Sequence, residues 1–155
     1  MTDTKAAASH RLVMRRTFKA SRARVFAAWT TPEVLKSWLA PGDLTAPEAT
    51  LDVRVGGTYR ITMEQPDGER FAVGGVYREI REPERLSFTF RWEGDEPSPQ
   101  GDTLVTLDFY DRGAETELVL THENFADEGS RDRHEHGWTG SFEKLASVLS
   151  RSARS

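Results

Sequence analysis

A single amphipathic helix near the C-terminus constrains the fold of this chain more than any other segment. Within residues 130–149 the apolar side chains of Trp138, Phe142, Leu145 and Leu149 recur at i, i+4, i+7 and i+11, a spacing that places them on one face of an α-helix. Twenty helical residues span about 30 Å, which is the width of a small domain. Such a helix needs a wide apolar surface to cover, and the preceding residues must supply it.

The predicted helix has an N-terminal capping signal and two glycines in its first half. Ser130 is a suitable N-cap, and Asp132 places a negative charge in the first turn, where the helix dipole favours it. Gly137 and Gly140 each cost about 1 kcal/mol relative to Ala inside a helix. They indicate either close approach of another segment or a void beside the helix; the alternative is that they only loosen the helix start.

The segments before this helix read as one strand, two short helices and a series of strands. The first strand is predicted at 11–18, and the helices at 21–30 and 32–39. Turn signals at hairpin spacing then separate the later strands, which favours an antiparallel sheet over βαβ units. These strands are predicted at 49–55, 58–64, 71–80, 85–93, 103–110 and 115–123, the first with Leu51, Val53 and Val55 on one face.

The element order β-α-α-β-β-β-β-β-β-α predicts an α+β fold in which a curved antiparallel sheet grips the C-terminal helix. The pairs Gly56-Gly57 and Gly74-Gly75 indicate strong curvature. Curvature would hold the helix off part of the sheet and leave an internal cavity between them, where a ligand would bind. We expect a single domain over 10–150, with a disordered N-terminus at 1–9 and a disordered tail at 151–155.

Composition excludes several classes of partner. The net charge of −4 argues against nucleic-acid binding. No apolar run is long enough for a membrane span, and no signal peptide is recognisable, so we predict a cytoplasmic protein that does not bind membranes. The chain contains no cysteine, which rules out disulfides and thiolate metal sites.

Short motifs along nearly the whole chain carry a family resemblance. The chain resembles the START-like (SRPBCC, helix-grip) superfamily and, within it, the AHSA1-like family, which is similar to the C-terminal domain of the Hsp90 ATPase activator. The matching motifs, in order, are Val25-Phe26, Thr31-Pro32-Glu33, Trp38-Leu39-Ala40-Pro41-Gly42, Leu51-Asp52-Val53-Arg54-Val55-Gly56-Gly57, Gly75-Val76-Tyr77, Pro83-Glu84-Arg85-Leu86, Leu120-Thr121-His122-Glu123 and Gly137-Trp138.

The resemblance implies an internal cavity of the kind that the superfamily uses for lipids, hormones, polyketides and other small apolar molecules. Many members only bind their ligand, and a few branches are cyclases or hydrolases. The activator engages its chaperone through a separate N-terminal domain, for which we see no room here, so chaperone activation does not follow. The family often has a second aromatic residue after Trp38, and Leu39 in that place implies a wider or less aromatic pocket wall.

Inward-facing rings and a few polar side chains are the candidate ligand-binding residues. His122 could bind a ligand or transfer a proton, or it could be a core histidine that a backbone carbonyl satisfies. His134 lies one turn before Trp138 and could face the mouth of the cavity. The full set of candidates is Trp38, Tyr59, Tyr77, Phe88, Phe90, Trp92, His122, His134, Trp138 and Phe142.

Other motifs favour structural interpretations. Asp52 and Arg54 read as a local ion pair. In His134-Glu135-His136 the two imidazoles are about 200° apart on a helix and diverge, so we predict no metal site. The chain shows no glycine-rich phosphate loop and no GxSxG nucleophile motif, so we also predict no cofactor and assign no catalytic residue.

Binding of a small hydrophobic or amphipathic molecule is therefore the predicted function. One alternative is a cofactor-free hydrolase or cyclase that uses His122 together with a pocket carboxylate or tyrosine. The other is a protein-binding module that resembles the co-chaperone. A homodimer is compatible with a domain of this size, and a chaperone partner has no support beyond the resemblance.

Overall fold

Seven strands form one antiparallel sheet, and a 26-residue helix lies against it. The computed structural model describes residues 10–94 and 101–153, without the side chains of 151–153. The predicted N-terminus 1–9, most of the loop at 94–101 and the last two residues lie outside the described residues. The elements are β1 (His10–Phe18), α1 (Arg22–Thr30), α2 (Pro32–Leu35), β2 (Thr45–Leu51), β3 (Thr58–Glu64), β4 (Arg70–Arg81), β5 (Arg85–Trp92), β6 (Thr103–Arg112), β7 (Glu115–Phe125) and α3 (Glu128–Ala153).

The strand order is β1-β7-β6-β5-β4-β3-β2. Strands β2 to β7 follow one another as antiparallel neighbours, whereas β1 pairs with β7 at the other side of the sheet, with His10 opposite Phe125. The helices α1 and α2 connect β1 to β2, the two edge strands. The predicted α+β architecture, with a long helix on an antiparallel sheet, is confirmed.

Strand β4 bends where its two glycines lie. A methyl group on Gly75 would overlap the Thr89 carbonyl of β5, and one on Gly74 would lie 2.7 Å from the Tyr59 carbonyl oxygen of β3. Both positions therefore require glycine, because neighbouring backbone occupies the space of a side chain. The β4–β5 register also shifts between Tyr77 and Glu79. The predicted kink in this part of the sheet is present.

The apolar stripe of α3 faces the sheet as the periodicity predicts. Trp138, Phe142, Leu145 and Leu149 are all buried. The start of the helix differs from the prediction: α3 begins at Glu128, and the Asp127 carboxylate accepts a hydrogen bond from the Ser130 amide at 2.7 Å. The expectation that Ser130 caps the helix was wrong, since a carboxylate three residues earlier satisfies that amide.

The strand predicted at 49–55 ends earlier than its alternating pattern suggests. Strand β2 ends at Leu51, and Val53 and Val55 are 37% and 63% exposed in the connection to β3. The Arg54 amide donates to the Asp52 carbonyl at 2.9 Å, and a methyl group on Gly57 would overlap that same carbonyl. These contacts turn the chain, so the alternation of valines does not mark a strand there.

The second short helix is also shorter than predicted. Helix α2 ends at Leu35, and turns over residues 36–40 carry the chain onward to β2. Trp38 within these turns is fully buried, and its indole N–H donates to the Ala28 carbonyl near the end of α1 at 3.1 Å. This hydrogen bond satisfies a helix-end carbonyl and joins α1 to the segment after α2.

The loop of residues 39–44, which we call the 39–44 loop, packs against the middle of α3. A methyl group on Gly140 would lie 2.9 Å from Pro41 Cβ, whereas one on Gly137 would meet only Pro41 Cγ, at 4.0 Å. Close approach therefore explains Gly140. Gly137 lies one turn closer to the N-terminus, where the space beside the helix is open.

Hydrogen bonds hold the 39–44 loop in this place. The Ser141 hydroxyl donates to the Leu39 carbonyl at 2.5 Å, and Lys144 Nζ donates to the carbonyls of Ala40 and Leu44 at 2.6 and 3.1 Å. Bonds from a charged donor are worth about 1.5–3 kcal/mol. The loop is thus fixed on α3 by three side-chain hydrogen bonds and one close packing contact.

Gly137 and Gly140 of α3 should respond in opposite directions to the same substitution. Gly137→Ala should stabilise the protein by up to about 1 kcal/mol, because alanine favours the helix and meets no close neighbour. Gly140→Ala should destabilise it by about 1–3 kcal/mol, because the methyl group overlaps Pro41. Urea unfolding of both variants measures the difference, and equal effects would contradict the close approach at Gly140.

Candidate functional site

A groove between the first half of α3, the 39–44 loop and strands β3–β5 is the main candidate site. Its volume is about 410 Å³, within the range of small-molecule sites. The walls are mostly apolar, with a few polar side chains from the helix. The lining residues are Leu39, Pro41, Leu44, Met63, Phe71, Phe90, Trp92, Ser130, Arg133, His134, Gly137, Trp138 and Ser141.

A much smaller cavity, the deep cavity, lies between the sheet and the helices. Its volume is about 20 Å³, roughly the space of one water molecule. It shares Leu39, Phe90 and Trp138 with the groove. The indole N–H of Trp29, another wall residue, is buried and has no hydrogen-bond partner among the described residues. The space between helix and sheet is therefore nearly filled at depth, and three side chains separate the deep cavity from the larger groove.

Four of the predicted site residues line the groove, and others lie elsewhere. Phe90, Trp92, His134 and Trp138 form part of the groove wall, and Tyr59, Tyr77 and Phe88 line only the deep cavity. Trp38, His122 and Phe142 line neither space. Trp38 packs on Trp29 with ring centroids 4.5 Å apart, and Phe142 packs on Phe18 at 5.8 Å, so both rings fill the core.

His122 lies behind the groove wall and is held at both ring nitrogens. Nδ1 accepts a hydrogen bond from the Trp138 indole N–H at 3.0 Å, which places the ring proton on Nε2. Nε2 then donates to the Thr103 hydroxyl at 2.9 Å, and that hydroxyl donates to the Phe90 carbonyl at 2.6 Å. The imidazole is fully buried. Burial, and secondly the nearby His134, lowers the pKa of His122 well below 6.5.

His134 forms a second histidine–tryptophan pair, at the surface of the groove. Its Nδ1 donates to the Ser130 carbonyl at 2.7 Å, and its Nε2 accepts from the Trp92 indole N–H at 2.9 Å. The two histidines therefore carry their protons on different nitrogens. Their ring centroids are 5.2 Å apart. Each histidine fixes the orientation of one tryptophan of the groove wall.

The two inward tyrosines differ in how their hydroxyls are used. Tyr59 donates to the Thr89 carbonyl at 2.6 Å, and burial raises its pKa well above 10.0. Burial, with a smaller effect of Asp52, raises the pKa of Tyr77 to about 12. Both hydroxyls are therefore neutral at physiological pH, and that of Tyr59 is engaged by backbone.

Sequence reasoning missed several groove residues that lie on α3. The glycines already indicated a void or a close approach beside Gly137, but Ser130 and Arg133 carried no such signal. Both fall near the line that continues the buried stripe toward the N-terminus. Extending the helical period toward the N-terminus would have indicated them. Met63 and Phe71 face each other across β3 and β4, and no sequence signal separates them from core residues.

The remaining motifs form no site in the described part of the chain. Arg54 Nε lies 3.1 and 3.0 Å from the two carboxylate oxygens of Asp52, in the exposed turn before β3. Within residues 10–94 and 101–153, no three His, Cys, Asp or Glu side chains group closely enough to hold a metal ion. No described helix is long and apolar enough to cross a membrane.

The buried His122 should make stability depend on pH. Because its pKa is lowered in the folded protein, the unfolded chain binds a proton below about pH 6.5 that the folded chain does not. The free energy of unfolding should thus fall by up to about 1.4 kcal/mol per pH unit below 6.5. Urea unfolding at pH 7.5 and 5.5 measures this slope.

Two histidine variants test whether His122 causes this dependence of the unfolding free energy on pH. His122→Gln should reduce it, with some loss of stability at pH 7.5, whereas replacement of the exposed His136 by Gln should keep it. An unchanged slope in His122→Gln would show that other groups cause the pH dependence.

Comparison with known proteins identifies similar chains. The family described as "Activator of Hsp90 ATPase homolog 1-like protein" matches residues 19–150. An AHSA1 protein from Silicibacter pomeroyi is 27% identical, with a TM-score of 0.78 over 92% of this chain and 99% of that chain. An uncharacterised protein from Rhizobium leguminosarum is 30% identical, with a TM-score of 0.74 over 92% and 95%.

A more distant structure has the same fold. A protein of unknown function from Staphylococcus aureus is 21% identical and has a TM-score of 0.80, with 95% of this chain and 97% of that chain covered. No curated protein matches the chain.

Proposed function

The chain belongs to the family of Activator of Hsp90 ATPase homolog 1-like proteins, and on that premise we propose that its groove binds a small apolar or amphipathic molecule. The observation that carries this proposal is the 410 Å³ groove with its mostly apolar lining. Apolar walls with a few placed polar groups are typical of small-molecule sites. The deep cavity is too small for such a ligand.

The groove wall is rigid enough to select a ligand by shape. The rings of Trp92 and Trp138 are each fixed by a hydrogen bond to a histidine, and the 39–44 loop is fixed on α3. A wall that does not reorganise on binding loses little conformational entropy, which favours affinity. Burial of apolar ligand surface against these rings supplies the driving force.

A hydrolase or cyclase is a weaker proposal. That alternative needs a histidine that reaches the ligand. His122 has the lowered pKa but lines neither space, and both of its nitrogens bind protein groups. His134 does line the groove, yet its nitrogens hold the Ser130 carbonyl and the Trp92 indole.

A protein-binding role is also weaker. It needs a contiguous exposed apolar patch, and the large apolar side chains exposed among the described residues come from three separate segments of the chain. They are Val13 on β1, Val53 and Val55 before β3, and Tyr110 on β6. A cytoplasmic location, a homodimer and a chaperone partner remain predictions from the sequence.

A variant that fills the groove without harming the fold tests the proposal. Gly137→Leu should project a side chain into the groove, because only Pro41 lies near a Cβ at this position. In wild type, a ligand at one hundred times its Kd should add about 2.7 kcal/mol of stability, a rise in Tm of roughly 5–10 °C. In the variant, the same ligand should leave the Tm unchanged. A thermal-shift screen with neutral apolar molecules, preceded by native mass spectrometry of the purified protein, measures both.

The matched control places the same side chain on the outer face of the helix. Thr139 is exposed, so Thr139→Leu should respond to ligands as wild type does. Equal responses of Gly137→Leu and wild type would place the binding site elsewhere, and a screen without any shift would count against a binding function.

A further inference from the structure

We infer that the groove takes an amphipathic anion, with its carboxylate at Arg133 and its apolar part toward the 39–44 loop; this rests on the proposed function. Arg133 is the one arginine or lysine among the described groove residues, and none of these residues is Asp or Glu. The chain as a whole carries a net charge of −4. A lining with one positive and no negative side chain differs from the rest of the protein and favours anions over cations.

The polar lining groups lie at one end of the groove. Ser130 and Arg133 lie within one turn of α3, next to His134, whose two ring nitrogens already bind the Ser130 carbonyl and the Trp92 indole. Ser141, about 12 Å from Arg133 along the helix, donates its hydroxyl proton to the Leu39 carbonyl. The wall near Ser141 consists of apolar loop side chains. This asymmetry matches a molecule with one charged end and one apolar end.

Arg133 is available for an anion. It is exposed and forms no ion pair with the described residues, whereas Arg131, two positions earlier, pairs with Asp132 at 2.7 Å and Glu135 at 3.2 Å. The Asp127 carboxylate, which accepts from the Ser130 amide, lies near the Arg133 guanidinium at the helix start but forms no ion pair with it. A guanidinium presents paired N–H donors that match the two oxygens of a carboxylate.

Three probes with the same eight-carbon chain separate charge from apolar contact. We would measure binding of octanoate, octylamine and 1-octanol at pH 8 by tryptophan fluorescence, since Trp92 and Trp138 line the groove. Octanoate should bind three- to tenfold more tightly than 1-octanol and at least tenfold more tightly than octylamine. Higher salt should reduce both ratios, because Arg133 is exposed to solvent.

Arginine variants assign the preference to one side chain. Arg133→Gln should bring the affinity for octanoate to that for 1-octanol, and Arg133→Lys should retain most of the preference. Arg78→Gln is the control, since Arg78 is an exposed arginine on β4 that does not line the groove. Both glutamine variants replace exposed side chains, so their Tm values should equal that of wild type.

The outcomes separate this inference from the proposed function. Equal binding of octanoate and 1-octanol, tighter binding of octylamine, or an octanoate preference that survives Arg133→Gln would each overturn the anion preference at Arg133. Failure of all three probes would overturn it too. The proposed function would still stand if neutral ligands gave a thermal shift that Gly137→Leu abolishes.

Discussion

The attachment of the 39–44 loop to the middle of α3 is the contact on which the groove depends. The loop forms one wall and the helix another, so their separation sets the width of the space between them. Gly140 allows the loop to touch the helix, and the hydrogen bonds of Ser141 and Lys144 keep it there. One turn closer to the N-terminus, Gly137 has no such neighbour, and the same two segments diverge. A closed contact and an open space are therefore adjacent on one helix.

The histidine–tryptophan pairs explain why rings that could fill the groove form its wall instead. Indole N–H groups are costly to bury without a partner, and each histidine offers its unprotonated nitrogen to one of them. Because His122 is held from behind by the Thr103 hydroxyl, Trp138 cannot turn into the groove without leaving a buried imidazole nitrogen unsatisfied. The buried polar groups thus fix the positions of the aromatic rings that form the apolar groove wall.

Much of the fold could be predicted because it depends on local periodicity. The stripe from Trp138 to Leu149 identified the long helix and its buried face, and turn signals separated the strands. The errors arose where one contact decides between locally equivalent choices. Asp127 and Ser130 are both good N-caps, and the close approach of Gly57 to Asp52 overrides the alternation of Val53 and Val55.

The candidate site was less predictable, because an inward ring can either fill the core or line a space. Trp38 and Trp138 are both inward aromatic residues, yet Trp38 donates to a helix-end carbonyl and lines neither space, whereas Trp138 forms a wall. That difference depends on distances between elements that are far apart in the sequence. Arg133 was missed for a related reason: a charged residue on a helix is ordinarily solvated, and only the groove beside it suggests a function.

The pairing of β1 with β7 determines the order in which this protein can be completed. Arg11 on β1 lies opposite Glu123 on β7, and its carbonyl accepts a hydrogen bond from Arg131 on α3, 120 residues later in the sequence. During synthesis β1 must therefore wait without its neighbour until β7 has left the ribosome, and contacts of such long range slow folding. The groove forms later still, because α3 is the last of the described elements. A nascent chain interrupted before α3 would expose the apolar face of the sheet and lack one wall of the groove, so the groove takes shape only after the sheet that supports it is complete.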